Sequence, residues 1–149
     1  MERNRLWRIA RHIAWKMWGD PYKWAGDDPI EGVDCSGFVQ ECLYEVGALS
    51  RKHDRTAHGL WEHYKNVRVE NPYAGCLVFW WNSSKTKIRH VEMCHDHELA
   101  IGASGGGSKT TTKKIAAAQN AFVKCNPIEG RGIIAGFVDP FLPTAPWGK

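Results

Sequence analysis

The chain has 149 residues and lacks any apolar run approaching the roughly 18 that a membrane-spanning helix needs. It also lacks a C-x-x-C pair. Its five cysteines, at 35, 42, 76, 94 and 125, are odd in number, which excludes a complete internal disulfide framework and points to a reducing environment at synthesis. Metal-ligand residue types crowd together at Cys94-His95-Asp96-His97 with no matching second cluster, so a solvated hairpin tip is favoured over zinc, and no metal or cofactor is expected. The first 18 residues are basic, but Arg8, Arg11, His12 and Lys16 interrupt any apolar h-region and no small-residue cleavage site follows; a signal peptide is not expected. Repeats and linker-like stretches are missing as well. One domain spanning 1–149, long enough for a sizeable core, is the simplest organisation.

Eight tryptophans are many for this length and suggest aromatic packing plus an exposed stacking surface. The formal charge of +4 suits an acidic polymer, cell wall or nucleic acid, without choosing between them. Leu6, Ile9, Ala10, Ile13, Ala14 and Met17 recur at helical spacing, predicting a first helix from Arg3 to Trp18 that ends at Gly19-Asp20-Pro21. Such a basic amphipathic helix could lie on a membrane, but packing on its own domain is the favoured reading. An irregular loop, Tyr22 to Asp34, leads to a second helix from Cys35 to Val46, with Phe38, Val39, Cys42, Leu43 and Val46 on one face and Gly47 after its end. Thr56 to Tyr64 forms a shorter third helix. Strands are expected over 75–81, 88–94, 99–104 and 132–138, while 112–124 is ambiguous between helix and loop. Helices first and antiparallel strands afterwards define an α+β fold.

The chemistry concentrates at two places. Cys35 stands where the loop feeds into the second helix, in Gly32-Val33-Asp34-Cys35-Ser36-Gly37-Phe38-Val39, so its sulfur faces unpaired backbone N–H groups and the positive end of the helix dipole. Both favour the thiolate, the nucleophilic form. Fifty-five residues later, His90 lies in the strand-like Arg89-His90-Val91-Glu92-Met93-Cys94 and is the candidate base. Cys42, on the same helix as Cys35, reads as a small buried core thiol.

These words resemble one branch of the papain-like cysteine hydrolases. Tyr22-Lys23-Trp24-Ala25-Gly26 followed by the Asp34-Cys35-Ser36-Gly37 block is similar to the cysteine signature of the NlpC family of bacterial and phage cell-wall peptidases. Arg55-Thr56-Ala57, Gly75-Cys76-Leu77-Val78-Phe79 and His90-Val91 match that family's later blocks in the same order, over roughly Trp18 to Ser104. The resemblance implies a papain-like fold, with N-terminal helices, one headed by the catalytic Cys35, packed on an antiparallel sheet. It implies hydrolysis of peptidoglycan stem peptides, usually between D-glutamate and a diamino acid, with Cys35 as nucleophile and His90 as base. By the same resemblance the Tyr22 hydroxyl joins the Cys35 N–H in an oxyanion hole. Asp34, Ser36 and Arg55, inside matched blocks, become candidates for binding the substrate's charged groups, although Asp34 could equally cap its helix.

Cys76 stands where the family usually has Asp. The third catalytic residue, usually a polar group on the strand after the histidine strand, is harder to locate. A hairpin centred on residue 96 places Gly102 opposite His90, and glycine cannot orient an imidazole. Glu92, two residues along on the face of His90, could bend back to the ring; a backbone carbonyl, Ser104 or a bare dyad are the other options.

Ile101 to Thr110 is glycine-rich and invites a phosphate-loop reading, but Ser108 separates Gly107 from Lys109 and breaks the required Gly-Lys-Thr. A flexible loop beside the cleft is expected instead. An N-acetylmuramoyl-L-alanine amidase, another thiol amidase and a non-catalytic wall-binding module are the rival functions. Peptidoglycan rather than nucleic acid is the expected partner and a monomer the expected state. Without a signal peptide, the route to the wall would be phage lysis, carriage in a virion tail or injection, which favours a phage or prophage source.

Overall fold

The structure, a computed structural model, describes residues 2–149. Helix α1 (Arg3–Lys16) buries Leu6, Trp7, Ala10 and Ala14 along one stripe and turns its arginine-rich side outward. It is tied to the far end of the chain by Arg3, whose Nε donates to the fully buried Asp139 at 2.5 Å while Nη2 donates to the Ala74 carbonyl. A small hairpin, β1 (Asp27–Asp28) with β2 (Gly32–Val33), precedes α2 (Cys35–Glu45). Phe38, Val39, Cys42 and Leu43 of α2 are fully buried, and Gly47 leaves the helix at φ +74°, a conformation that suits a residue without Cβ. Helix α3 (Ala57–His63) follows, its start capped by the Thr56 hydroxyl accepting from the Gly59 N–H.

The remaining strands are β3 (Arg68–Val69), β4 (Leu77–Trp81), β5 (Ile88–Cys94), β6 (Leu99–Ser104), β7 (Phe122–Pro127) and β8 (Ile133–Val138), with α4 (Lys113–Ala118) between β6 and β7. They form one antiparallel sheet in the order β3-β8-β4-β5-β6-β7. The fold is therefore α+β and papain-like, as expected. Leu77 and Phe79 of β4, with Val91 and Met93 of β5, pack in the core shared with the helices. The alternate residues Cys76, Val78, Trp80 and Cys94 join Ala100 and Ile128 in a second buried cluster, so the central strands are covered on both faces.

One ambiguity is resolved and one expectation, the centre of the β5–β6 hairpin, needs correction. Residues 112–124 hold both a helix and the start of a strand: α4 is followed by β7, an edge strand whose mixed Phe-Val-Lys-Cys-Asn-Pro sequence carries little alternation. The last strand in the sequence, β8, falls where it was expected and is inserted between β3 and β4. The β5–β6 hairpin pairs Met93 with Ile101 and Cys94 with Ala100, so it is centred one residue later than the sequence suggested. That shift puts Gly102 across from Glu92, and Ser104 is the residue that continues the register to His90.

Candidate active site

The loop from Tyr22 to Asp34 is laid against the start of α2. Asp34 is its N-cap: Oδ1 accepts from the Gly37 N–H at 2.7 Å and from the Ser36 hydroxyl at 3.2 Å. Burial pushes the Asp34 carboxyl up, with the Gly37 and Ser36 bonds opposing. The Asp34 N–H donates to the Gly26 carbonyl, and the same carbonyl presses on Gly37, where a Cβ would lie 2.2 Å from it. Glycine at 37 is thus what lets the loop close on the helix. Cys35 opens the helix from this cap, and its own N–H is among those with no intrahelical acceptor.

His90 reaches Cys35 from β5. Its Nε2–H donates to Glu92 at 2.7 Å. Burial works against the imidazolium, but the Cys35 charge and hydrogen bond, reinforced by Glu92, outweigh it and raise His90 to about 9. Glu92 is completely buried. Arg131, in the β7–β8 connection, grips it with a fork: Nη2 donates to Oε1 at 2.7 Å and Nη1 to Oε2 at 3.1 Å. Burial pushes the Glu92 carboxyl up, yet the bonds from His90 and Arg131 more than reverse this and hold it below its ordinary value. Gly102 makes the arrangement fit, since a Cβ there would sit 2.5 Å from Glu92 Cγ. The glycine that seemed a gap in the site is the space Glu92 occupies.

Tyr22 stands beside these groups. Burial raises its phenol, as do the charges of Cys35 and Asp34, so it stays a neutral O–H donor. Its ring lies flat on the glycine-rich segment, where a Cβ at Gly106 would come within 2.3 Å. That segment is anchored: the Trp24 N–H donates to the Thr110 carbonyl at 2.7 Å, and the buried Thr110 hydroxyl bonds Gln119.

Cys35, His90, Tyr22, Asp34 and Ser36 all line one cleft of about 870 Å³. Arg55 does not line it. Its backbone N–H and C=O are held by Gln40, and its Nη1 is buried without a hydrogen-bond partner among the described residues. The structure does not bring Arg55 to the cleft wall with the other expected site residues: in the sequence it adjoins Thr56 and Ala57, which do reach the cleft, but its own Nη1 is buried. The sequence reading missed Trp24, Lys87, Arg89, Lys124 and Arg131, which also line the cleft, four of them cations facing the lone carboxylate of Asp34. That Glu92 needs a cation could be inferred, because a glutamate in the middle of an apolar strand demands one, but nothing in the sequence singles out Arg131.

The remaining thiols are unlike Cys35 in setting. Cys42 and Cys94 are fully buried and burial pushes both far up, while Cys76 is raised to about 11. The tip beyond Cys94 is a turn in which Asp96 accepts from the Glu98 and Leu99 N–H groups.

Known proteins share part of this sequence and its fold. The chain is 38% identical over 78 residues to the gamma-DL-glutamyl hydrolase of Bacillus subtilis, a match covering 52% of the chain and 18% of that protein. It is 35% identical over 79 residues to the bifunctional muramidase/DL-endopeptidase CwlT of the same organism, covering 52% and 23%. The chain thus matches about a fifth of the length of these relatives. Among solved structures it superposes on the P60 domain of an antigen from M. avium subspecies paratuberculosis with a TM-score of 0.68 at 18% identity, over 94% of the chain and 98% of that domain. The NlpC/p60 domain of the peptidoglycan hydrolase SagA gives 0.60 at 23%, over 89% and 97%. The sequence profile of the NlpC/P60 family spans residues 19–126, from the turn before Tyr22 to the strand that closes the cleft, and the chain belongs to that family.

Proposed function

We propose that the protein is a cysteine peptidase of bacterial peptidoglycan that cleaves the amide between a γ-linked D-glutamate and the following diamino acid. The observation that carries this reading is the cleft itself, in which Cys35 at a helix start, His90 and the buried Glu92 stand in line beside a neutral tyrosine hydroxyl. The Cys35 thiolate attacks the scissile carbonyl, and the oxyanion is met by the Cys35 N–H and the Tyr22 O–H. The His90 imidazolium gives its proton to the departing amine, leaving a thioester. A water then attacks the thioester with His90 as base, which releases the acid and restores the thiolate–imidazolium pair. Glu92 orients the ring through Nε2, leaving the other nitrogen for the sulfur. Asp34 and Ser36, at the cleft wall, suit the substrate's amine.

The cations Lys87, Arg89, Lys124 and Arg131 on the cleft wall favour a substrate rich in carboxylates. They also support a second reading, hydrolysis of a γ-glutamyl polymer, the bond named for one Bacillus relative. Mass spectrometry of fragments from purified sacculi, run beside poly-γ-glutamate, tests both. New amino termini on the diamino acid, absent with Cys35→Ala, are expected; fragments from the polymer alone would select the second reading, and none from either would reject both.

A further inference from the structure

Beside the base His90 lies a fully buried carboxylate, Glu92, with a dedicated counter-ion. Arg131 does not merely touch Glu92. Its Nε donates to the Pro127 carbonyl at 2.6 Å, its guanidinium lies 4.8 Å from the centre of the Trp80 ring, and that ring tilts against His90 at 5.3 Å. Its backbone carbonyl accepts from Arg89 Nη2 at 2.9 Å. Guanidinium, carboxylate and imidazole are thereby fixed in one line from the β7–β8 connection to β5.

We propose that Arg131 is a positioning residue that aims Glu92 at His90 and whose charge sets where on the pH scale the cysteine–histidine pair is charge-separated. The proposal rests on the reading of Cys35 and His90 as nucleophile and base. Charge balance is its physical basis. With Arg131 present, the buried row of guanidinium, carboxylate, imidazolium and thiolate is neutral overall. Removing the guanidinium leaves an excess negative charge beside the sulfur, so the thiolate forms only at higher pH and the imidazolium persists to higher pH. Removing the carboxylate leaves an excess positive charge, and both events move to lower pH. The other titratable or charged groups around this row are Asp34 from α2, Tyr22 from the preceding loop, Lys87 from the β4–β5 loop, Arg89 and Cys94 from β5, Asp96 from the hairpin tip, and Lys124 and Cys125 from β7. None is hydrogen-bonded to Glu92; only His90 and Arg131 are, among the described residues.

The test compares wild type, Arg131→Gln, Arg131→Lys and Glu92→Gln by two measurements: the pH profile of kcat/KM, and the pH dependence of Cys35 alkylation by iodoacetamide, which needs no substrate. Both limbs should rise by about one pH unit in Arg131→Gln and fall by about one unit in Glu92→Gln, the size expected of one adjacent charge. Arg131→Lys keeps the charge and loses the fork, so its limbs should stay near the wild-type positions while kcat falls. Profiles of Arg131→Gln that superimpose on wild type, with only the melting temperature lowered, would overturn the proposal. If Arg131→Gln does not fold, unmoved limbs in Glu92→Gln, or limbs displaced in Arg131→Lys, would overturn it as well. An active Cys35→Ala protein would instead show that the reading of the nucleophile has failed.

Discussion

At the scale of single residues, five thiols differ mainly in what surrounds them. Cys42 and Cys94 are sealed in apolar packing that penalises the charged form, whereas Cys35 opens a helix at a cleft and faces an imidazole. Cys35→Ala should abolish hydrolysis, and alanine at 42, 76, 94 or 125 should leave most of it. The buried sites should lose roughly 1 kcal/mol or more of stability for the small cavities created; activity assays beside thermal melts separate the two effects. His90 yields a pH prediction. Its folded value is raised to about 9, so the imidazolium proposed to protonate the leaving amine is present below that pH and lost above it. The basic limb of kcat/KM should therefore fall near pH 9 rather than near the ordinary imidazole value of about 6.5. Gly102 supplies a third test. Gly102→Ala places a methyl 2.5 Å from Glu92 Cγ, in a backbone that cannot yield without disturbing the hairpin, and should lower kcat by displacing Glu92 from His90. Unchanged kcat would show that the ring is oriented by something else.

At the scale of elements, much was readable because local signals agreed with one another. Cys35 to Val46 combined an N-cap aspartate, a 3.6-residue apolar stripe and a terminal glycine, and the structure gives α2 over Cys35–Glu45. Ile88–Cys94 and Leu99–Ser104 likewise matched in both bounds. What escaped was set by tertiary pairing. The two-residue β3 has too little length to announce itself, and β7 is recognisable only through its six-residue register with β6. The hairpin error had the largest consequence: one residue of register decides which side chain faces which, and no pattern in His95-Asp96-His97-Glu98 fixes a turn type. Arg131 was invisible as a site residue because its partner lies 39 positions away. Element packing carries its own prediction. Asp139, fully buried after β8, accepts from Arg3 of α1, from the Tyr73 hydroxyl at 2.6 Å and from the Phe141 N–H at 3.0 Å. Asp139→Ala strands an arginine and two other donors, and should cost about 3–5 kcal/mol in denaturant unfolding with the remaining folded protein still active. A loss under about 1 kcal/mol would mean that α1 is held by its apolar stripe alone.

At the scale of the whole molecule, charge is unevenly spread. The outward side of α1 carries Arg5, Arg8, Arg11 and Lys16, all exposed, and a second group of cations, Lys87, Arg89, Lys124 and Arg131, lines the cleft. The chain has 20 lysines and arginines against 16 acidic residues, so the acidic residues outnumber the cations that lie outside these two groups. The two basic regions should act differently on an insoluble anionic wall. In the proposed reaction the cleft cations meet the carboxylates of the substrate at short range and are partly shielded from salt. The α1 cations are solvent-exposed and act at a distance, where screening at about 0.15 M salt has a length of only ~8 Å. Hydrolysis of intact sacculi should therefore weaken as salt rises from about 0.01 to 0.15 M, while kcat/KM on a small soluble stem peptide falls much less. Reversing charge on the helix with Arg5→Glu and Arg8→Glu together, at positions outside both the core and the cleft, should lower sacculus binding in a sedimentation assay several-fold and flatten the salt dependence. Peptide hydrolysis by the same variant should match wild type. An unchanged salt response would assign the wall attraction to the cleft cations, and a parallel loss on the small peptide would show that α1 supports the fold of the site rather than its approach to the polymer.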